Sequence, residues 1–314
     1  MKSIKKTSLL LSIGAIAAAP IAVASSCGGE TNSSTTFDVG LELAYAPYNF
    51  LVTQDQHNQI IQDRPDAASV MAETADGQWG AGYDVYVANQ IGEAYSQPVM
   101  LHSVEWDSLI PELNANSFDA IIAGMSRTAE REKQITFSNN TYMQPELGIL
   151  YNDTLDITVK YPETSTIFAQ KGTSHADLLS DQEDDNGSPV VSPLSNYNSN
   201  TNLDNAQALV AEVRGGNGIA IMESVIGIPE AKVAGLSFIS FADLAANNVT
   251  FLDVQPGTEL PTEAEDICVA VSKSEDSRPF LTSVNSVITS SFNVINNTSV
   301  STEVNYILNY IRGN

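Results

Sequence analysis

The stretch that decides the fold is "FDAIIAGMSRTAEREKQITFS", residues 118–138. It opens as a buried apolar strand that ends in a loop, and a helix is predicted to begin near Thr128. Three of the chain's 14 lysines and arginines lie in it: Arg127, Arg131 and Lys133. Arg131 falls in the first helical turn, where free backbone N–H groups and a guanidinium together favour an anion. A planar carboxylate fits an arginine fork; the alternative is that Arg131 pairs with Glu130, Glu132 or another acid.

The composition is that of an acidic globular chain. It has 314 residues, a formal net charge of −24 and 43% hydrophobic residues, so a sizeable core is available. The length predicts two compact units, or one bilobed unit with a ligand crevice between the lobes. The negative charge argues against nucleic acid and anionic lipid surfaces as partners. It is compatible with a cationic ligand, or simply with a solvated acidic surface.

The N-terminus has the pattern of an export signal, a basic start followed by an apolar stretch. The small residues before Cys27 resemble a bacterial lipobox, although Ala24 stands where Leu is usual. The resemblance implies a lipoprotein signal peptide at 1–26, acylation of Cys27 with palmitate-like chains, and a polar tether at 27–36. The alternative is a plain signal peptide with an incidental cysteine. No other segment is apolar enough to span a bilayer, so we expect a lipid-anchored protein on the outer face of the cell membrane.

Strand and helix patterns alternate along the rest of the chain. Strands are predicted at 37–50, 99–104, 118–124, 147–152, 165–170, 218–222 and 267–272. Helices are predicted at 82–95 (capped by Asp84), 106–116 (capped by Asp107), from 128, from 173, and at 203–213, 278–295 and 301–313. Residues 51–81 and 181–202 are polar and lack a regular pattern. The alternation predicts an α/β protein with parallel sheets covered by helices. Beyond Cys27 the one cysteine is Cys268, which excludes an internal disulfide in the mature chain. Its alternating apolar context predicts a buried strand cysteine with no chemistry.

Six segments in order resemble the family 3 extracellular solute-binding proteins of polar amino-acid ABC importers. The most specific is 118–138, with its Ala-Gly-Met-Ser and Glu-Arg elements. The other five are "AYAPYNF" (44–50), "GYDV" (82–85), "WDSLIPEL" (106–113), "KGTS" (171–174) and "GNGIAIMES" (216–224). The resemblance covers the chain from Phe37 to Ile311.

The resemblance implies the type II periplasmic-binding-protein-like fold, in which two α/β lobes are joined by two hinge crossovers and enclose a ligand cleft. The crossovers are placed near 141–146 and 261–266. Lobe 1 is then 37–141 plus 267–314, and lobe 2 is 146–261. The expected partners are a small-molecule amino acid and an ABC permease in the membrane, bound by a monomer that needs no cofactor and no metal.

The resemblance also implies roles at the two ends of the ligand's backbone. Arg131 forks the α-carboxylate, with help from Ser126 and from the turn at Thr173 and Ser174. The Gly124 carbonyl and the Ser126 hydroxyl accept hydrogen bonds from the α-ammonium. Glu223 stands where the family has an acid, more often Asp, that neutralises the same ammonium.

The side-chain pocket is predicted from three residues. Tyr45 and Trp106 match two positions whose rings sandwich the ligand side chain, and Glu42 matches an acid at its distal end. An acid with two aromatic rings favours arginine or lysine through charge and cation–π contact. The alternatives are that Trp106 and Tyr45 are packing residues and that the ligand is a neutral amide.

Three departures from the family pattern stand out. Residues 51–81 hold an insertion of roughly twenty residues, either a cap over the cleft or a permease contact. Arg127 replaces a usually apolar residue, as a second carboxylate contact or a surface contact. The polar loops at 181–202 are unusually long and expected to be solvated.

Two rival functions remain on the same fold, an amino-acid sensor or adhesin and an enzyme similar to cyclohexadienyl dehydratases. A hydrolase is not indicated, because the three histidines lie in unrelated contexts and are expected at the surface or in caps: His57, His102 and His175. No metal-ligand spacing or phosphate loop is evident in the sequence. We therefore expect a binding protein and not an enzyme.

Overall fold

The computed structural model describes residues 36–184, 186–262, 266–274, 277–289 and 292–313. The predicted signal peptide, Cys27 and tether residues 27–35 lie outside the described residues. Within those ranges, no helix combines the length and apolar character needed to cross a bilayer.

Strands and helices follow one another along the chain much as the alternating pattern predicts. The strands are β1 (Phe37–Leu41), β2 (Ala44–Tyr45), β3 (Asn49–Val52), β4 (Met71–Thr74), β5 (Trp79–Ala81), β6 (Val99–Ser103), β7 (Ala120–Ile121), β8 (Ile135–Phe137), β9 (Leu147–Asn152), β10 (Thr166–Gln170), β11 (Gln182–Glu183), β12 (Pro189–Val190), β13 (Asn198–Leu203), β14 (Gly218–Glu223), β15 (Leu236–Ser240) and β16 (Ala270–Ser272). The helices are α1 (Gln54–Asp63), α2 (Tyr83–Tyr95), α3 (Leu109–Asn114), α4 (Ala129–Glu132), α5 (Ser174–Asp177), α6 (Ala206–Arg214), α7 (Ser224–Ala234), α8 (Phe241–Ala246), α9 (Ser277–Val287) and α10 (Thr298–Arg312). Short 3-10 turns lie at Pro65–Val70, Trp106–Ser108 and Val294–Asn296.

Lobe 1 is built on a nine-stranded sheet with the order β2-β3-β5-β4-β6-β1-β7-β16-β8. Its centre is parallel, since β1 pairs in parallel with both β6 and β7, and its two flanks are antiparallel. Helix α3 packs on β1 and β7, while α2 packs on β3 to β6 and meets α9 and α10 on its other side. Helices therefore cover this sheet and bury its apolar side chains.

Lobe 2 is built on a five-stranded sheet with the order β13-β10-β14-β9-β15. The first three strands are parallel, and β9 and β15 are antiparallel to their neighbours. Helices α6, α7 and α8 pack on this sheet. The predicted parallel sheets are thus correct for the centre of the lobe 1 sheet and for one side of the lobe 2 sheet, and wrong for the antiparallel strands.

The chain passes from lobe 1 to lobe 2 between β8 and β9 and returns between α8 and β16. These two crossovers lie side by side, because Ile267 N donates to Met143 O at 3.1 Å and Leu147 N donates to Thr262 O at 3.4 Å. The predicted hinge segments fall in these passages, although residues 263–265 lie outside the described ones. The limits of the two lobes stay a prediction.

The predicted cap of α2 is wrong. Gly82, not Asp84, precedes the helix, with φ 132° and no side chain to cap it. A Cβ at Gly82 would lie 2.2 Å from Tyr48 O, so only glycine fits there. Asp84 is instead buried and accepts hydrogen bonds from Tyr142 Oη and Asn49 Nδ2, both at 2.7 Å.

The predicted cap of α3 is also wrong, because the residue before this helix is Ser108. The Asp107 carboxylate reaches lobe 2 instead and pairs with Lys171. This ion pair is the first of several contacts between the lobes.

Both polar stretches contain more regular structure than their sequences indicate. Residues 51–81 form α1, a 3-10 turn and the β4–β5 hairpin, and the hairpin belongs to the lobe 1 sheet. Residues 181–202 include the exposed β11–β12 hairpin and most of β13, an edge strand of lobe 2. Cys268 is buried and free, as predicted.

Candidate ligand-binding cleft

One cavity lies between the lobes, and all nine sequence-predicted residues line it. Six come from lobe 1: Glu42, Tyr45, Trp106, Gly124, Ser126 and Arg131. Three come from lobe 2: Thr173, Ser174 and Glu223. Lobe 2 also contributes two lining residues that the sequence did not indicate, Gln170 and His175. The structure thus brings together side chains that are up to 181 positions apart in sequence (223 − 42).

Arg131 contacts both lobes. It belongs to the four-residue helix α4, whose N-cap Thr128 accepts from the backbone N–H of Arg131 at 3.2 Å. This cap satisfies the backbone N–H of Arg131 itself, so that N–H is not one of the free donors of the first turn. Nη1 donates to Ser126 O at 2.7 Å and Nη2 donates to Gly172 O at 3.0 Å. Its Cζ lies 5.2 Å from the centre of the Trp106 ring, a cation–π distance.

Glu223 ends β14 and is a buried acid, with 2% of its surface exposed. Its Oε2 accepts from Tyr45 Oη at 2.6 Å, and its Oε1 lies 3.3 Å from His175 Nε2. Burial favours the neutral acid, but the charge of His175 and the hydrogen bonds around the carboxylate outweigh it and hold the pKa of Glu223 below its ordinary value. Glu223 is therefore a carboxylate at neutral pH and suits a cationic partner.

Glu42 lies at another part of the cavity wall among acids. Its Oε2 is 3.4 Å from Gln170 Nε2, a long hydrogen bond, and the same amide nitrogen donates to Asp204 O at 3.1 Å. Burial raises the pKa of Glu42 to about 7, and the nearby Glu105 and Asp204 add to the rise while the Gln170 contact opposes it. A positive charge entering here would relieve this repulsion.

The two predicted sandwich rings already have neighbours. The Tyr45 ring stacks on Tyr48 with 5.0 Å between centres. Trp106 Nε1 donates to Gly172 O at 3.2 Å, and Arg131 lies over its ring. Gly124, at φ 61°, lets the tyrosine rings approach, since a Cβ there would lie 3.1 Å from the ring of Tyr45.

The remaining cleft residues shape the backbone around these groups. The Thr173 hydroxyl donates to Gln170 O at 2.7 Å, and Ser174 begins α5. Ser126 is 5% exposed and pairs with Ile267 of the return crossover.

The side chains nearly fill the cavity, whose volume is ≈ 10 Å³, about the space of one water molecule. A second cavity of ≈ 370 Å³ borders it and shares Trp106, Arg131, Thr173 and Ser174 with it. An amino acid fits into the smaller cavity only if the side chains that line it move.

Two sequence interpretations are corrected at the cleft. Arg127 does not line the cavity: its Nη2 lies 2.6 Å from Asp266 Oδ2, beside the return crossover, which makes it a structural contact. His175 is not at the surface, since it is 4% exposed and faces Glu223. By contrast His57 is half-buried and stacks on Trp79 with 3.5 Å between ring centres.

The histidine and Gln170 flank the predicted Thr173–Ser174 turn, so proximity to that turn is the signal that could have indicated them. The residues described in the structure hold no group of His, Cys, Asp and Glu arranged to bind a metal.

The chain matches the family model of bacterial extracellular solute-binding proteins, family 3, over residues 62–299. It is 33% identical over 102 residues to the arginine-binding periplasmic protein of Mannheimia haemolytica, covering 32% of this chain and 41% of that one. The chain thus spans less than half the length of this curated relative.

Two solved structures share the fold. An amino acid ABC transporter substrate-binding protein from Streptococcus pneumoniae, bound to L-arginine, aligns with a TM-score of 0.59 at 19% identity, over 87% of this chain and 93% of that one. The ancestral amino acid-binding protein AncCDT-1, a precursor of cyclohexadienyl dehydratase, aligns with a TM-score of 0.58 at 18% identity, over 87% and 94%. Their alignment confirms the predicted two-lobed α/β fold. With a family model that matches most of its length, the chain belongs to the bacterial extracellular solute-binding proteins of family 3.

Proposed function

We propose that the protein binds one polar amino acid between its lobes and delivers it to an ABC importer. The observation that carries the proposal is that two opposite charges line one buried cavity, Arg131 from lobe 1 and Glu223 from lobe 2. A free amino acid is a zwitterion, so its carboxylate and ammonium match these two groups. Each charge-assisted hydrogen bond contributes about 1.5–3 kcal/mol, enough in combination for micromolar affinity, about −8 kcal/mol.

Closure of the two lobes follows because each lobe contributes one of the two charged groups. The ligand's carboxylate draws Arg131 from the carbonyls of Ser126 and Gly172, and its ammonium replaces the Tyr45 hydroxyl at Glu223. Because both lobes contribute partners, the ligand binds the closed state more tightly than the open one and shifts the equilibrium toward it.

We infer that the ligand's side chain is cationic, with arginine favoured over lysine. Glu42, Glu105 and Asp204 concentrate negative charge at the far part of the cleft, and the relative from Mannheimia haemolytica is named as an arginine-binding protein. Tyr45 and Trp106 offer aromatic faces to a flat guanidinium. Lipid attachment at Cys27 would hold the closed protein near its permease on the outer face of the membrane.

The experiment is calorimetric titration of the purified protein with arginine, lysine, histidine, glutamine and glutamate. We expect arginine or lysine to bind, with an affinity at least about tenfold above glutamine, a difference of about 1.4 kcal/mol. Binding of glutamine alone would keep the amino-acid function and discard the cationic pocket. If a folded, ligand-free sample binds no amino acid, the adhesin and enzyme alternatives take precedence.

The anchor is tested separately by labelling cells with a palmitate analogue. The wild-type protein is expected to take up label and sediment with membranes, and Cys27→Ser is expected to do neither. A labelled Cys27→Ser protein would contradict the anchor at this residue.

A further inference from the structure

His175 places an unsatisfied nitrogen against the proposed ammonium site. The residue is 4% exposed, and its Nε2 is fully buried without a hydrogen-bond partner among the described residues. Glu223 Oε1 lies at ion-pair distance from this nitrogen but forms no aligned hydrogen bond with it. A buried polar atom in poor hydrogen-bond geometry is costly, so a better-placed donor in the cleft would stabilise it.

The nitrogen and a carboxylate oxygen face each other across the same cavity. His175 Nε2 lies 3.3 Å from Glu223 Oε1, within ion-pair distance, and both residues line the cavity. The other oxygen, Oε2, already accepts from Tyr45 at 2.6 Å. Oε1 and Nε2 therefore form two adjacent acceptor positions when the imidazole is neutral.

We propose that His175 makes ligand binding depend on pH. In its neutral form, with the proton on Nδ1, it accepts from the ligand's α-ammonium through Nε2 beside Glu223. In its protonated form it pairs with Glu223 and repels that ammonium, so it competes with the ligand for the same carboxylate. The inference rests on the proposed amino-acid function and adds a residue that controls it.

The groups around the imidazole support this competition. Glu223 of β14 faces it and is bound in turn by the Tyr45 hydroxyl of β2, and Asp177 lies two residues along its own helix α5. Burial raises the pKa of Asp177, and the positive charges of Arg131 in α4 and of His175 oppose this rise. A second cation that enters this group therefore competes with a protonated imidazole for the Glu223 carboxylate.

Glu42 titrates in the same range and must be separated from His175. Its pKa of about 7 means that a cationic side chain also binds better as pH rises. The test therefore compares four proteins: wild type, His175→Gln, Glu42→Gln and the double variant. Glutamine keeps an acceptor at 175 but does not titrate, and His57→Gln, at a half-buried histidine outside the cavity, is the matched control.

L-Arginine is titrated into each protein by calorimetry at about pH 8 and about pH 5.5. We expect wild-type and His57→Gln affinities to fall by about tenfold or more over this interval, since one unit of pKa difference is a tenfold effect. The ratio of the arginine affinities at the two pH values is expected to be about tenfold smaller in His175→Gln than in wild type. The same reduction is expected when Glu42→Gln is compared with the double variant. An unchanged pH dependence in His175→Gln overturns the inference and leaves the proposed function intact.

A second measurement avoids the variants. In wild-type protein, the NMR signals of the His175 ring are followed with pH before and after saturation with L-arginine. Arginine is expected to lower the pKa of His175 by about one unit or more; an equal or higher pKa in the bound state overturns the inference. If no binding occurs even at about pH 8, the proposed function fails and the inference fails with it.

Discussion

The Tyr45 hydroxyl donates to Glu223 Oε2 at 2.6 Å and joins the two lobes inside the cleft. Burial and the adjacent carboxylate raise the pKa of Tyr45 well above its ordinary value, so the hydroxyl stays a donor. A donor at this position occupies the place that we assign to the ligand's ammonium. The contact thus joins the two lobes at the point where, on our proposal, the ligand's ammonium binds.

Removal of this hydroxyl is expected to favour the open state. Tyr45→Phe keeps the ring but loses a hydrogen bond to a charged group, worth about 1.5–3 kcal/mol. Small-angle X-ray scattering of the ligand-free variant should show a larger radius of gyration than wild type, and saturation with arginine should restore the wild-type value. A ligand-free variant as compact as wild type would show that this bond does not hold the lobes.

Glu42→Gln is expected to change both specificity and stability. Arginine affinity should fall by about tenfold or more, because a carboxylate partner is lost, while glutamine affinity should change little. The pKa of about 7 in the folded state exceeds the ordinary 4.5, so the folded protein binds more protons between these values. Wild-type stability attributable to Glu42 therefore falls as pH rises from 4.5 to about 7, and the variant should lack this slope.

Urea unfolding at several pH values measures the slope, and calorimetry measures the affinities. Gln170, a neutral cleft residue that contacts Glu42, provides the comparison. Gln170→Ala should leave the preference for arginine over glutamine in place. Equal loss of arginine and glutamine binding in Glu42→Gln would contradict the assigned role.

Asp84→Asn tests the buried network below the cleft. Tyr142 Oη donates to Asp84 at 2.7 Å and accepts from Gly124 N at 3.1 Å, so the network supports the loop that contains Gly124. Burial raises the pKa of Asp84 from 3.8 to about 6 despite these hydrogen bonds. The ionised form costs about 3 kcal/mol at neutral pH by linkage.

Stability from this residue is therefore greatest below pH 3.8 and is lost as pH rises to about 6. The asparagine variant should unfold with a flatter pH dependence across that window, measured by chemical denaturation. A slope identical to wild type would show that Asp84 does not titrate there.

Two ion pairs between the lobes differ in exposure and should differ in effect. Arg312 of α10 pairs with Glu230 of α7, with side-chain exposures of 25% and 16%, whereas Lys171 and Asp107 are 50% and 49% exposed. Exposed pairs contribute about 0–1 kcal/mol, and less exposed ones more. Arg312→Gln should weaken arginine binding by about threefold to tenfold, and Lys171→Gln, the charge-matched control, by less. A larger effect from Lys171→Gln would reverse this order.

The sequence predicted the parts of the fold that short-range patterns govern. The stretch around Arg131, the helix α6 and the C-terminal helix α10 all carry clear caps or periodicity. Helix α7 was missed because Gly227 and Pro229 interrupt it and its apolar residues follow no single face. The polar strand β13 was missed because an edge strand needs no alternation of apolar residues.

The family motifs predicted nine residues that line one cavity. The hydrogen-bond partners of buried side chains in and below the cleft come from distant parts of the sequence, so the motifs did not indicate them. Asp84 has the spacing of a helix cap, but Asn49 and Tyr142 draw its carboxylate inward. His175 follows a predicted ligand turn, yet its burial depends on Glu223 of another strand. Local patterns could not indicate either environment.

The most direct test of the central claim compares arginine with agmatine, which lacks only the α-carboxylate. Calorimetry is performed on wild type, on Arg131→Ala, and on Lys133→Ala, which removes a cation two positions away with 53% side-chain exposure. We predict that wild type and Lys133→Ala favour arginine by about a hundredfold, and that Arg131→Ala favours it by less than about threefold. If Arg131→Ala retains the full preference for arginine, Arg131 does not bind the carboxylate and the account of the cleft is wrong.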